Sequence, residues 1–200
     1  MLNFKNEINF IYTVDDAFLP LVGVSISSIL ENIRDKKINF FIATEKDDKT
    51  DNYLRLINFY SKFQNVSFIF IDPKKYDYVF EQNEMNKWGS SSYYIYWRLV
   101  VPELINVNNA IYLDADILCF KDFDYLDTKD KACGCVIDSV HSIYNQYMGV
   151  DRDFCFYNTG TIFIDVNKWK KEKLTEKCID YIKNIRSNFS MADQDLLSLA

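Results

Sequence analysis

Two aspartates one residue apart, Asp114 and Asp116, close an apolar run that reads Ala-Ile-Tyr-Leu-Asp-Ala-Asp-Ile-Leu-Cys-Phe over residues 110–120. Its Ile, Tyr and Leu content predicts a buried strand with the acids at the carboxyl end. In extended backbone, residues i and i+2 point to the same side, so both carboxylates should address one point while Ala115 turns away. Two such charges repel. A hard divalent cation, Mn²⁺ or Mg²⁺, relieves the repulsion and leaves positions open for phosphate oxygens. The pair alone is also compatible with two solvated acids that cap a turn, so the surrounding sequence has to decide.

Other residues could share that chemistry. Asp15 and Asp16 end a second apolar run, and Arg98 is a lone cation among Tyr93, Tyr94, Tyr96 and Trp97. A guanidinium there either snorkels past aromatic neighbours or aims its fork at a phosphate or sugar. The single histidine, His141, gives a Ser/His/Asp or multi-histidine site little to build on and reads as a surface or loop residue.

The elements that must position these groups follow from periodicity. Residues 8–14 are apolar at nearly every position and read as a strand buried on both faces. Pro20 opens a helix whose Leu21, Val24, Ile26, Ile29, Leu30 and Ile33 form an apolar face. A strand over 38–44, an amphipathic helix from 47 to about 63 and a strand over 66–71 come next. Residues 76–92 read as loop-like around 83–88 with a short helix before that stretch, 91–100 as a helix carrying Arg98, and 122–126 as a short helix. Strands over 132–137 and 156–164, a helix over 174–185 and a capped helix start over 191–200 complete the chain. Strand-helix-strand order implies βαβ units and a parallel or mixed sheet, with ligands outside the strand carboxyl ends where the strand order reverses. Neither G-x-G-x-x-G nor G-x-x-x-x-G-K-[ST] occurs, so dinucleotide and P-loop readings fall away.

Composition sets the outer bounds. Two hundred residues, 48% of them hydrophobic, suit one domain spanning 1–200. A formal net charge of -6 without a basic tract argues against nucleic-acid or anionic-membrane partners. Without a leader pattern or a membrane-length apolar stretch, the chain is expected to be soluble and cytoplasmic. Five cysteines, an odd number with no Cys-x-x-Cys spacing, indicate neither a disulfide framework nor a zinc site.

Taken in order, Thr13-Val14-Asp15-Asp16, Val24-Ser25-Ile26-Ser27-Ser28-Ile29-Leu30, Arg98, Tyr112-Leu113-Asp114-Ala115-Asp116, Tyr157-Asn158-Thr159-Gly160 and Asp193-Gln194-Asp195 resemble a family 8 glycosyltransferase. The resemblance implies an α/β GT-A fold, a mixed, mostly parallel sheet flanked by helices. It also implies retaining transfer of glucose or galactose from a UDP-sugar, often in building bacterial lipopolysaccharide or surface glycans. By the same resemblance Thr13 and Asp15 meet the nucleotide, Asp15 accepting from the uracil ring, and Phe18 stacks on it. The family often has Tyr in place of Phe18, and commonly Asn in place of Ala17. Arg98 and Ala115 line the donor, Asp114 and Asp116 hold Mn²⁺ (or Mg²⁺) on the diphosphate, and Asn158, Thr159 and Gly160 line the donor sugar. Asp193 and Gln194 are the catalytic candidates beside it, Asp193 reading otherwise as a plain helix N-cap. Asp138 matches an acid near the acceptor, a carbohydrate or glycolipid.

One departure stands out. The family's third metal ligand, a histidine, belongs after the Asp-Gln-Asp helix, so a C-terminal segment is expected beyond this chain, and with it any peripheral membrane contact. Two alternatives stay open: a nucleotide-sugar or glycan-binding protein of this fold without turnover, and a haloacid-dehalogenase-like phosphatase. The latter usually carries its acid pair on the first strand, whereas here the pair follows three strands.

Overall fold

The computed structural model describes residues 1–44, 51–83, 85, 93–139, 155–184 and 193–200. Its strands, in chain order, are β1 (Leu2–Asn3), β2 (Glu7–Thr13), β3 (Lys37–Ala43), β4 (Val66–Ile71), β5 (Asn109–Leu113), β6 (Tyr125–Leu126), β7 (Cys133–Ile137) and β8 (Tyr157–Asp165). Six of them form one sheet in the order β4-β3-β2-β5-β8-β7, and β1 pairs with β6 in a separate ribbon. The pairings of β2 with β3 and β5, and of β3 with β4, are parallel; those of β8 with β5 and β7 are antiparallel. The sheet is therefore mixed, as expected, and its chain order reverses between β2 and β5. At such a switch point the two connections leave in opposite directions and open a crevice beyond the strand ends.

Both faces of the sheet are covered, which is why β2 and β3 lack a clean polar alternation. On one face, α1 (Leu19–Asn32) and α2 (Asp51–Tyr60) pack Val22, Ile26, Ile29, Leu56 and Tyr60 on Ile8, Phe10, Tyr12, Phe40 and Ile42. The other face carries α3 (Asp77–Gln82), α4 (Tyr94–Trp97), α5 (Val101–Leu104), α6 (Val166–Lys171), α7 (Leu174–Asn184) and α8 (Asp193–Leu199). There Ile11, Phe41 and Tyr112 meet Tyr96, Trp97, Trp169 and Leu196. Fully burying aromatic and branched side chains of this size stabilises by roughly 1.5–3 kcal/mol each.

Several sequence expectations need correction. The helix expected over 91–100 is α4 alone within its described part: Leu99 N and Val100 N bond back three residues, to Tyr96 O and Trp97 O. Pro102, which lacks an N–H, then sits in the first turn of α5 rather than in a continuing helix. Residues 91 and 92 lie outside the described residues. The helix expected over 122–126 is instead an edge contact, β6 on β1, with Phe4 N donating to Asp124 O at 2.7 Å. Lys36 explains that conformation. Its ammonium, 5% exposed, holds Asp122 Oδ1 at 2.6 Å, Asp124 Oδ1 at 2.8 Å and Phe123 O at 2.5 Å. Burial works against this charge, and Asp122 and Asp124 outweigh it, holding the ammonium above its ordinary pKa.

The remaining shifts are small. The first strand runs from Glu7 to Thr13, not 8–14, and the helix expected from 47 is described from Asp51 to Tyr60. The ends of the helices expected over 174–185 and 191–200 fall partly outside the described residues, as does His141. Among the described residues no helix is long and apolar enough to cross a membrane.

Candidate functional site

The carboxyl ends of β2 and β5 lie side by side at the switch point, with Phe10 opposite Ile111 and Ile11 opposite Tyr112. Beyond β2, Asp15 caps a single 3₁₀ turn (Asp16–Phe18), its Oδ1 accepting from Phe18 N at 3.0 Å. Phe18, held by that cap, is 51% exposed. Asp16 beside it accepts from Asn52 Nδ2 at 3.0 Å, which ties the turn to α2.

Beyond β5 the backbone does not stay extended. Ile117 N bonds to Asp114 O at 3.1 Å, so Ala115 and Asp116 occupy a turn and the alternation expected of the acid pair ends at Asp114. A polar stripe on α1 holds the segment that follows. Ser25 Oγ donates to Ile117 O (2.6 Å) and pairs with the buried Tyr12 hydroxyl (2.8 Å). Cys119 N donates to Ser28 Oγ (2.9 Å), and Asn32 Nδ2 donates to Cys119 O (3.0 Å). The turn bearing Asp116 is thus clamped on its downstream side by one helix face.

Arg98 ties the site together. Its side chain is 9% exposed, and Nη2 lies 3.0 Å from Asp114 Oδ1 while Nε lies 3.3 Å from Asp193 Oδ2. Nε also donates to Ile95 O (2.9 Å), Nη1 donates to Thr159 O (3.1 Å), and the guanidinium stacks 4.6 Å over the Tyr112 ring. Asp114 Oδ1 also accepts from the Tyr112 hydroxyl at 2.7 Å, which meets Thr13 Oγ1 at 3.3 Å. Burial opposes the arginine's charge, but Asp193 and Asp114 outweigh it and keep its pKa raised. Burial pushes the Asp193 carboxyl up, against the pull of Arg98 and of the Thr159 hydroxyl that donates to it.

A looser polar rim continues along β8. Gln194 Oε1 accepts from Thr159 N (3.4 Å) and its Nε2 donates to Asp138 Oδ2 (3.4 Å), which also accepts from Asn158 Nδ2 (3.3 Å). Asn158 Oδ1 accepts from Gly160 N at 3.0 Å. Gly160 allows a close approach: a Cβ there would stand 3.0 Å from Asp114 Oδ2 and 3.1 Å from Asn158 Oδ1, so either side chain would have to give by a few tenths of an ångström. Gly160→Ala should therefore push the Asp114 carboxylate off its position. The expected result is at least about tenfold weaker divalent-cation-dependent UDP binding, worth about 1.4 kcal/mol, with urea-unfolding stability lowered by no more than ~1 kcal/mol. Calorimetric titration beside a urea melt reads both.

Of the residues singled out from sequence, Thr13, Arg98, Asp114, Asp138, Asn158, Thr159, Gly160, Asp193 and Gln194 belong to one connected network. Among the described residues no hydrogen bond or ion pair joins Asp15, Phe18, Ala115 or Asp116 to it. They lie on the turns that follow β2 and β5, two strands that run side by side at the switch point. Tyr112 and the Ser25, Ser28 and Asn32 stripe were missed as contributors.

The candidate metal ligands are hard oxygens. Asp114 spends Oδ1 on Tyr112 and Arg98, its Oδ2 faces Gly160 without a hydrogen bond among the described residues, and Asp116 is exposed. Among the described residues no group of three or more His, Cys, Asp or Glu is placed to hold a metal. Two carboxylates with room for non-protein oxygens suit a cation shared with a phosphate ligand. They do not suit an all-protein cage.

A mixed sheet with this strand order, flanked by helices on both faces, is that of the GT-A class of α/β fold. The crystal structure of the galactosyltransferase LgtC in complex with donor and acceptor sugar analogs shares it, with a TM-score of 0.77 at 22% identity, covering 96% of this chain and 70% of that one. The chain belongs to Glycosyl transferase family 8, whose sequence profile matches residues 9–200. Lipopolysaccharide 1,2-glucosyltransferase of Escherichia coli is 28% identical over 213 residues, 99% of this chain and 60% of that protein. General stress protein A of Bacillus subtilis is 26% identical over 205 residues, 97% of this chain and 69% of that protein. The chain thus spans about three fifths of the length of the glucosyltransferase it matches.

Proposed function

We propose that the protein is a retaining hexosyltransferase that moves glucose or galactose from a UDP-sugar to a carbohydrate or glycolipid acceptor, with Mn²⁺, or Mg²⁺ in its place, on the donor diphosphate. The observation that carries this reading is the shared anchoring of Asp114 and Asp193 by one buried arginine at the switch point. Family membership and relatives named as lipopolysaccharide glucosyltransferases support the substrate class, and a cytoplasmic setting suits a UDP-sugar user. Any peripheral membrane contact through a C-terminal segment belongs to the same proposal.

The divalent ion, held by Asp114 Oδ2 and Asp116, would act as a Lewis acid on the diphosphate as negative charge grows there. The chain's own residues do the rest. Asp15 orients Phe18, whose exposed ring offers a stacking face to uracil. Arg98 pairs with both Asp114 and Asp193 and offsets one of their two charges, which lets the two acids stand together in a partly buried site. Thr159 and Gly160 bring the β8 backbone against the sugar position, since no Cβ intervenes at Gly160. Gln194, suspended between Thr159 N and Asp138, is placed to orient a sugar hydroxyl, and Asp193 stands behind it as the carboxylate of the site.

The test is UDP-sugar consumption with and without Mn²⁺, repeated with Asp116→Ala. Metal-dependent consumption that the variant loses by a factor of about 10³, some 4 kcal/mol of transition-state stabilisation, supports the reading. Tight UDP binding without consumption would instead mark a binding protein of the same fold, and metal-dependent hydrolysis of simple phosphate monoesters a phosphatase.

A further inference from the structure

At the opposite end of the sheet, where β2, β3 and β5 begin, lies a polar crevice of about 990 Å³. Half of its sixteen lining residues are asparagines, a concentration that the fold does not require. Asn9 and Asn39 are register partners in the middle of two otherwise apolar strands, 7% and 6% exposed, on the face that continues through Ile11 and Phe41. An amide at such a position costs desolvation unless its polar atoms are engaged.

Here they are partly engaged, in a way that stiffens the crevice wall. Asn39 Nδ2 donates to Glu7 Oε1 (2.7 Å) and to Asn9 Oδ1 (2.8 Å), and Asn9 Nδ2 donates to Asn109 O (2.9 Å). Lys37 Nζ holds the same Glu7 oxygen at 2.8 Å. The framework leaves capacity over: Asn39 Oδ1 accepts no hydrogen bond among the described residues, and neither do the side chains of Asn6 and Asn106 make one. The charges on the wall are already spent, Glu7 on Lys37 and Asp165 as the cap that accepts from Lys168 N. Apart from the α-amino group of Met1, a residue 74% exposed, an anion therefore finds no unpaired cation among the described lining residues. A neutral ligand rich in hydroxyls does find partners, because each hydroxyl both donates and accepts and each primary amide presents both functions side by side. Ile69, 38% exposed, supplies an apolar patch for the C–H face of a sugar ring. The volume lies at the upper end of ligand pockets.

We propose that this crevice is a second carbohydrate-binding site, one that takes a neutral stretch of glycan and is separate from the acid-lined site. The seven residues of β2 from Glu7 to Thr13, at roughly 3.3 Å each, put about 20 Å between the two. A ligand in one leaves the other free. The inference rests on the crevice alone and not on the transferase reading.

The test titrates the intact protein with maltohexaose, with β-1,4-linked galactotetraose and with trigalacturonate, followed by saturation-transfer NMR and calorimetry in the presence and absence of UDP and Mn²⁺. Two variants report on the crevice: Asn39→Leu, which removes the buried amide at similar volume, and the double variant Asn6→Ala/Asn106→Ala, which leaves the framework intact. Millimolar binding of at least one neutral oligosaccharide, unaffected by UDP, about tenfold weaker in the double variant and not matched by trigalacturonate, is the expected result. The proposal is overturned if neither neutral oligosaccharide binds, if the double variant binds as well as the parent, or if UDP with Mn²⁺ displaces the sugar. Failure of UDP itself to bind would count against the transferase reading and leave the crevice titration fully readable.

Discussion

Arg98→Met is expected to destabilise the protein by about 3–5 kcal/mol, the range found when one partner of a buried ion pair is removed, and to abolish donor binding. The loss is large because the guanidinium serves two acids. Asp193 has 10% of its side chain exposed and Asp114 36%, so Asp193 has little water to turn to when the cation goes. Methionine fills similar volume over the Tyr112 ring, which limits any packing defect. Arg98→Lys should recover little, since a single ammonium cannot reach Asp114, Asp193 and the Thr159 carbonyl from one stem in the fork geometry used here. The double variant Arg98→Met/Asp193→Asn separates causes. If the uncompensated carboxylate is responsible, removing its charge restores a good part of the lost stability, and a urea-denaturation cycle of the four proteins gives a coupling of 0.5–3 kcal/mol, as for groups in contact.

The same pair sets a pH dependence. Burial raises the folded-state pKa of Asp193 above the ordinary carboxylate value, so the folded state holds this proton more tightly than the unfolded chain does. The stabilisation is then complete below the unfolded carboxylate pKa and is lost as pH rises through the raised folded value. Arg98 opposes the shift in the wild type. Without it the shift grows, so the stability of Arg98→Met falls over a wider stretch of weakly acidic pH than that of the parent. A flat difference between the two proteins from pH 4 to pH 7 would show that Asp193 is not the group left stranded.

The features legible in the sequence were those in which a residue's own type sets its environment. The apolar runs of β2, β3 and β5 and the acids that end β2 and β5 follow from burial on both faces and from the abrupt change to charge. The features that were not legible depend on distant partners. Tyr112 inside an apolar strand reads as core, and only the approach of Thr13, Arg98 and Asp114 turns its hydroxyl into a connector. Residues 122–126 carry a helix-compatible pattern, and a buried lysine 86 positions away from Asp122 decides their shape. The stripe Ser25, Ser28 and Asn32 did have a signal, three small or amide side chains at i, i+3 and i+7 on one face of an apolar helix. Such a face is unusual enough to ask what it hydrogen-bonds, and the answer is the segment after the acid pair. Sequence showed the acid pair but not the turn that follows Asp114, because the chain bends there, with Ile117 N bonded to Asp114 O, and the strand ends at Leu113, three residues before Asp116.

UDP should raise the melting temperature by roughly 5–10 °C when Mn²⁺ is present at saturating concentration, and leave it unchanged in chelator. The size follows from linkage: a ligand at a hundred times its dissociation constant contributes about 2.7 kcal/mol, and for a chain of this length each kcal/mol moves the transition by about 2–4 °C. The dependence on metal follows from charge. Asp114 Oδ2 makes no hydrogen bond among the described residues and Asp116, two positions on, is exposed, while Arg98 is already committed to Asp114 and Asp193. A diphosphate entering without a cation meets net negative charge at the turn; with one, it supplies the remaining ligands. Asp114→Asn should remove the UDP-induced shift, because it takes away an anionic ligand and an acceptor for both Tyr112 and Arg98. Asp116→Asn, which disturbs no other side chain among the described residues, should remove the shift while leaving the melting temperature of the free protein within about 1 °C of the parent, as expected for a surface change below 0.5 kcal/mol. The comparison separates ligation from fold maintenance: loss of the shift in both variants with destabilisation only in the first identifies the turn as the metal's seat, whereas an undiminished shift in chelator would place the diphosphate on protein groups alone.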